Sequence, residues 1–224
     1  MMKSLCAKLR ESLLSLSTPM LVDAMVQEGI PESYLDAGIR PVVPFSRMVG
    51  TAVTVQLEVA RDEAAADMKL LSRAYQSGPG TNYPIIVLQV PVELHGYGIF
   101  GEGAATCAHA HGYVGALVEG ATRDSHDLRG MDFPAFSRTI IPGYIMGKAS
   151  AVALNEPVVI GGRTIHSGDV IVGDNDGVVV IRPEKLEEIV DRAQAIKNWE
   201  VRGNKRLAEG MSFEEVDELI GPMP

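Results

Sequence analysis

Cysteine is nearly absent. Cys6 and Cys107 are the only two in 224 residues, and their spacing fits no zinc or redox motif. That argues against a secreted disulfide scaffold, so the reducing cytoplasm is the expected compartment. Basic residues are also short, with Lys+Arg 20 against Asp+Glu 29, a formal net charge of −9 and no Lys/Arg cluster. Such a surface repels phosphate backbones, so no nucleic-acid partner is expected, and an anionic substrate would need isolated arginines in a pocket. No apolar run reaches the roughly 20 residues that cross a bilayer. Lys8, Arg10 and Glu11 interrupt residues 1–17, where a signal peptide would need such a run, and no membrane partner is expected. Internal repeats, low-complexity segments and HExxH-type metal spacings are missing too.

The remainder is ordinary globular composition, 46% hydrophobic and 22% charged, in a length that suits one domain with an added arm. Leu5, Leu9, Leu13 and Leu16 recur at helical spacing. Thr18-Pro19 reads as the N-cap and first position of a second helix that stops at Gly29. Residues 50–57 predict a strand, 62–76 a helix broken by Gly78-Pro79-Gly80, and 84–90 a strand buried on both faces. A glycine-rich loop at 96–101 precedes an alanine-rich helix at 102–111 and a second buried strand at 113–118. Past Phe133, short strands alternate with turns at Pro142-Gly143, Gly161-Gly162 and Asp174-Asn-Asp-Gly177. The last lacks the alternating spacing of a calcium loop and reads as a hairpin turn. Pro183 opens a long helix to about Asn198, and Ser212-Phe-Glu-Glu215 is a capping box for a final short one. The pattern predicts a layered α/β domain over residues 1–183, with a C-terminal helical arm, 184–224, packed on the same domain or on a neighbouring subunit.

Gly96, Gly98 and Gly101 spell GxGxxG, followed by Glu119 at the end of the next strand, which is close to a dinucleotide-binding fingerprint. Against that, residues 91–95 separate the motif from its strand, and little chain is left for a hydride-acceptor domain. The glycines could also simply let the loop turn. In a third reading, the amides opening the helix near Gly101, Gly103, Ala104 and Ala105 form an anion site with room for a ligand.

Gly120-Ala-Thr-Arg123-Asp124-Ser-His-Asp127 follows the second buried strand, at the sheet edge where α/β proteins bind ligands. Arg123 offers a fixed cationic fork for a carboxylate or enolate, and Asp124 a hard ligand for a divalent cation. The plain alternative is an Arg–Asp pair that caps the next helix. His109, His111 and His126 lie nearby without metal-ligand spacing and suit surface or capping roles, His126 being the best placed for a site. Ser125 lacks a GxSxG context.

The run Gly101-Glu102-Gly-Ala-Ala-Thr106, then His111-Gly-Tyr-Val-Gly-Ala-Leu-Val-Glu-Gly-Ala-Thr-Arg123-Asp124, resembles the RraA-like family, with 21 residues between Gly101 and Arg123 and an acid at Asp127. Thr18 with Asp23-Ala24, Val49-Gly-Thr-Ala-Val-Thr54 and Gly168-Asp-Val-Ile-Val-Gly-Asp-Asn-Asp-Gly-Val-Val-Val180 resemble further blocks. Two stretches depart: Gly103-Ala104 stands where the aldolases usually carry a leucine pair, and residues 91–95 are not the usual segment. The family holds 4-hydroxy-4-methyl-2-oxoglutarate aldolases with oxaloacetate decarboxylase activity, and also regulators that inhibit a ribonuclease.

The resemblance implies a layered α/β/α, swivelling-domain-like fold and a homo-oligomer, trimer or hexamer. It implies a lyase that cleaves 4-hydroxy-2-keto acids to pyruvate, the alternative being a non-catalytic protein-binding regulator. Asp124 would hold Mg²⁺ or Mn²⁺ largely through water, with Glu102 touching that shell. The substrate carboxylate would meet the amides of Gly103 to Ala105, and Arg123 the enolate oxygen. Glu200 is the candidate acid from a neighbouring subunit, against a solvated helix face.

Overall fold

The computed structural model describes residues 5–76 and 80–224; the Gly78-Pro79 breaker lies outside them. In chain order the elements are α1 (Ala7–Leu14), α2 (Thr18–Gln27), β1 (Arg40–Pro41), β2 (Met48–Val59), α3 (Lys69–Gln76), β3 (Pro84–Gln89), β4 (Gly98–Phe100), α4 (Glu102–Ala110) and β5 (Gly115–Thr122). Then come α5 (Ser125–Gly130), β6 (Ala135–Ile140), β7 (Ala149–Leu154), β8 (Val158–Ile160), β9 (Arg163–Ile165), β10 (Val170–Asp174), β11 (Gly177–Ile181), α6 (Leu186–Ala208) and α7 (Phe213–Ile220).

Among the described residues, nine strands form one sheet in the order β1-β6-β5-β3-β2-β10-β11, with β4 beside β5 and β7 beside the far end of β2. The centre is parallel: β2 with β3, β3 with β5, and β5 with both β4 and β6. The edges are antiparallel. Arg40 of β1 donates to Asp176 O in the β10–β11 turn (2.7 Å), so the two ends approach and the sheet nearly closes.

Period-two alternation sorts the core. Ile86 and Leu88 of β3 face α3, α4 and α5 through Leu71, Ala105 and Leu128. Ile85 and Val87 face the opposite side, where the β8–β9 hairpin contributes Val158, Ile160 and Ile165. A third cluster joins α1, α2 and α6 to β10 and β11. There Leu186, Ile189, Val190, Ala193 and Ile196 form the buried stripe of α6. The mixed α/β class and the C-terminal helices are as expected from the sequence.

Several local expectations need correction. Ser17, not Thr18, is the N-cap of α2, accepting from Met20 N–H (3.4 Å). Thr18 is instead committed to Asp174. The helix expected over 62–76 is split: Asp62 caps one short 3-10 turn, and a fresh start follows where Asp67 accepts from Lys69 N–H (2.8 Å). The 96–101 loop contains strand β4. The long helix runs to Ala208 rather than about Asn198, because its apolar stripe ends before the helix does. Beyond it α7 folds back, burying Val216 and Gly203, and Trp199 Nε1 donates to Gly221 O (2.7 Å). The capping box at Ser212 and Glu215 is present. Among the described residues, no helix is long and apolar enough to cross a membrane.

Candidate functional site

β4 and β5 run parallel and end together, with Phe100 beside Thr122. Arg123 N–H donates to Phe100 O (2.9 Å), which fixes the next two residues of each strand side by side. Past β4 comes Gly101, the N-cap of α4; past β5 come Arg123 and Asp124. The sequence-predicted pair and the glycine-led helix start are thus brought to one carboxyl edge of the sheet.

Asp124 has a left-handed backbone (φ 54°, ψ 40°), which non-glycine residues rarely adopt and aspartate tolerates best. Its carbonyl starts α5, accepting from Asp127 N–H (3.1 Å) and Leu128 N–H (3.0 Å), but its carboxylate makes no bond to that helix. Oδ2 crosses to α4 and accepts from Glu102 N–H (3.2 Å), while Oδ1 accepts from Arg123 Nε (3.2 Å). The Arg–Asp pair of the plain alternative exists, but its carboxylate meets the first amide of the preceding helix, α4, and not the next one. Both side chains are about one-third exposed.

The glycines explain themselves by what surrounds them. A Cβ on Gly101 would collide with Asp124 Oδ2 and lie 2.7 Å from Arg123 Cγ. One on Gly98 would lie 2.8 Å from Arg123 Cβ and 3.0 Å from its Cγ. Neither position leaves space for a side chain while Arg123 stays where it is. Gly98 is absent from the sequence-derived site residues, although the GxGxxG spacing carried the signal. Gly96 and Gly103 face open space.

An α-helix leaves its first amides without intrahelical partners. In α4, Asp124 takes the amide of Glu102, and Ala105 N–H donates to Gly101 O (2.9 Å). The amide of Ala105 is thus spent inside the helix, and among the described residues the N–H groups of Gly103 and Ala104 are the ones left without a partner. Arg123 commits only Nε, and among the described residues both terminal nitrogens are without a partner.

The remaining candidates scatter. Glu119, the acid a dinucleotide site would need, accepts from Arg138 Nε (2.6 Å) and Gly161 N–H (2.7 Å) and is not available to a ribose. His109 packs edge-on against Phe133, and His111 Nδ1 contacts Cys107 O (2.8 Å) at the end of α4. His126 is exposed. Glu200 is half-buried on α6, a helix whose main helix contacts are with α1, α2 and α7. Cavities of about 300 and 250 Å³ lie away from this corner, at the α6 and α2 ends of β11.

Among the described residues, no group of three or more His, Cys, Asp or Glu is placed to cage a metal. The donor set suits a different coordination style. Mg²⁺ keeps several waters and takes one or two carboxylates. Asp124, open on one side with acceptor capacity left on each oxygen, fits as such an anchor beside exposed Glu102.

The chain resembles known proteins along most of its length. The family model described as "RraA-like: Aldolase/RraA" matches residues 18–180. A relative from Halalkalibacterium halodurans, named "Putative 4-hydroxy-4-methyl-2-oxoglutarate aldolase", is 31% identical over 71% of this chain and 71% of its own length. A crystal structure of a protein from Pseudomonas syringae pv. tomato str. DC3000 superposes with a TM-score of 0.83 at 26% identity, covering 98% of this chain and 97% of that one. The crystal structure of Streptomyces coelicolor RraAS2, described as an unusual member of the RNase ES inhibitor RraA protein family, gives 0.74 at 28% identity over 88% of this chain and 96% of that one. With the glycine-to-Arg-Asp corner and the nearly closed sheet in place, the chain belongs to the RraA-like family.

Proposed function

We propose that the protein is a divalent-metal-dependent lyase that cleaves 4-hydroxy-2-keto acids of the 4-hydroxy-4-methyl-2-oxoglutarate type to pyruvate and decarboxylates oxaloacetate. The observation that carries this is the set of uncommitted groups at the ends of β4 and β5: two guanidinium nitrogens of Arg123, the amides of Gly103 and Ala104, and the one-third-exposed Asp124 carboxylate. Donors of that kind match a carboxylate next to a developing oxyanion.

The 2-keto acid's carboxylate takes the two free amides at the positive end of α4. Arg123, its stem laid against Gly98 and Gly101, holds positive charge at the C2 oxygen that becomes the enolate as the 4-hydroxyl releases its proton to water, C4 becomes a keto group and C3–C4 breaks; a proton returned to C3 gives pyruvate. Loss of CO₂ from oxaloacetate leaves the same enolate, so one arrangement serves both substrates. Asp124, with Glu102 beside it, would hold Mg²⁺ or Mn²⁺ largely through water. When bound, that ion supplies Lewis-acid polarisation of the keto group. A homotrimer or homohexamer in which Glu200 reaches a neighbour's corner would complete the site, and the cytoplasm is its proposed compartment. Two relatives carrying the aldolase name support the reading.

The test is pyruvate release from both substrates with Mg²⁺ and with EDTA, beside Arg123→Ala and Asp124→Asn. Metal-dependent turnover lost in both variants supports the lyase. Absence of turnover on either substrate, in folded metal-supplemented protein, would sink it. The second reading is then a protein-binding regulator, favoured by the likeness to a member of the RNase ES inhibitor family.

A further inference from the structure

The cavity of about 300 Å³ plays no part in that chemistry. It lies where the loop after α2 meets the end of β11 and the start of α6, and its lining divides by type. Met25, Ile181 and Ile189 give it a buried apolar floor. The lining carries Arg163, Arg182 and Lys185 with one lining acid, Glu32, while two further acids pair with these cations from outside the lining, Asp169 with Arg182 (3.1 Å) and Glu188 with Lys185 (2.7 Å).

Lys185 is paired with Glu188, and the two guanidiniums are held in place with nitrogens to spare. Arg182 Nη1 donates to Asp169 Oδ1 (3.1 Å), on a carboxylate side chain only 2% exposed whose Oδ2 accepts from His166 N–H (2.8 Å). Arg163 Nε donates to Tyr34 O (3.2 Å), and its guanidinium carbon lies 5.9 Å from that ring's centre. Each guanidinium thus spends one nitrogen on positioning and keeps the others. The start of α6 adds partial positive charge at the same rim.

The adjoining cavity of about 250 Å³ supplies an internal contrast. It also borders β11 and is lined by Asp23, Tyr34 and Asp176, with no Lys or Arg. Charge is segregated between the two hollows rather than spread over them.

We infer that the larger cavity is a binding site for a small amphipathic anion, a carboxylate head on a short aliphatic tail. Arg163 and Arg182 take the head through charge-assisted bonds, and the floor takes the tail. At about 30 Å³ per water-sized atom the cavity holds roughly ten non-hydrogen atoms, the size of octanoate. A ligand there ties the first turns of α6 to the loop after α2, so it stabilises the base of the helical arm.

The experiment is isothermal titration of the full chain with octanoate, octylamine and acetate. Octanoate is expected to bind once per chain, and the other two not to bind. Arg163→Glu combined with Lys185→Glu, both at exposed positions, should weaken octanoate by at least about tenfold. Arg123→Ala should leave it unchanged, which separates this cavity from the proposed lyase corner. If the reversed pair fails to fold, Thr164→Trp, which fills the cavity from an exposed position, must abolish binding. Octylamine binding as well as octanoate, loss of binding in Arg123→Ala, an unaffected cavity variant or no octanoate binding each overturn the inference.

Discussion

Two aspartates in this chain sit beside an arginine at the start of a helix, and they are built in opposite ways. Asp174 is buried at the amino end of α2, where it accepts from Thr18 N–H (2.8 Å), Thr18 Oγ1 (2.6 Å), Asp176 N–H (3.0 Å) and Arg47 Nη1 (3.4 Å). Asp124, at the amino end of α4, accepts two bonds at 3.2 Å and keeps a left-handed backbone and an open side. A carboxylate whose lone pairs are filled from within the fold has one task, which is to hold elements together. One that is under-filled, on a backbone conformation few residues adopt, keeps acceptor capacity that the fold itself does not use.

Exchanging the charge at each position separates the two roles most sharply. Asp124→Asn keeps a residue that tolerates the left-handed conformation and removes the charge. Pyruvate release should fall roughly 100- to 1000-fold, while stability to urea stays within about 1 kcal/mol of the parent. Asp174→Asn should do the reverse, costing about 2–4 kcal/mol of stability by upsetting its four accepted bonds and leaving turnover per folded molecule unchanged. Steady-state rates and urea melts of both variants decide it. Equal damage to both properties in both variants would erase the distinction.

A smaller effect separates two glycines of one helix start. Gly101→Ala puts a methyl group into Asp124 and Arg123, so about 10- to 100-fold of activity should go as the pair is displaced, since small misplacements at a reacting centre are costly. Gly103→Ala meets no atom of the chain, so it should lose less activity than Gly101→Ala, with helix stability raised by about 0.5–1 kcal/mol. Matched kinetics and thermal melts test it, and an inactive, well-folded Gly103→Ala would show that the ligand itself occupies that space.

Much of this corner was legible in the residues, for identifiable reasons. β3 announces itself because a strand buried on both faces has no polar alternation, and Ser212 with Glu215 because a capping box is local. Arg123 and Asp124 stood out by their place after a buried strand. The carboxylate's actual partner, the amide of Glu102, is 22 residues away and belongs to another element, which no local pattern encodes. The same holds for Thr18, whose helix-cap appearance conceals a bond to Asp174 across 156 residues. Gly98 was overlooked because its reason for being glycine is the stem of Arg123, visible only once β4 lies against β5.

Asp169 extends the comparison to a third carboxylate and the smallest effect. It is buried beside Arg182 and His166, and burial pushes its carboxyl above the ordinary 3.8 against the pull of the His166 amide and the Arg182 guanidinium. The folded chain then keeps a proton that the unfolded chain has already released. By linkage, the stability contributed is fully present below 3.8 and is lost as pH rises from there through the raised folded value. Asp169→Asn has no group to titrate at that position. The unfolding free energy of the variant, measured against the parent in urea across acidic buffers, should move in the variant's favour through that window and level off above it. A constant gap at every pH would mean that the arginine and the amide fully offset burial. Asp169 would then resemble Asp174 in being a carboxylate whose partners within the fold are sufficient for it, rather than one that burial works against.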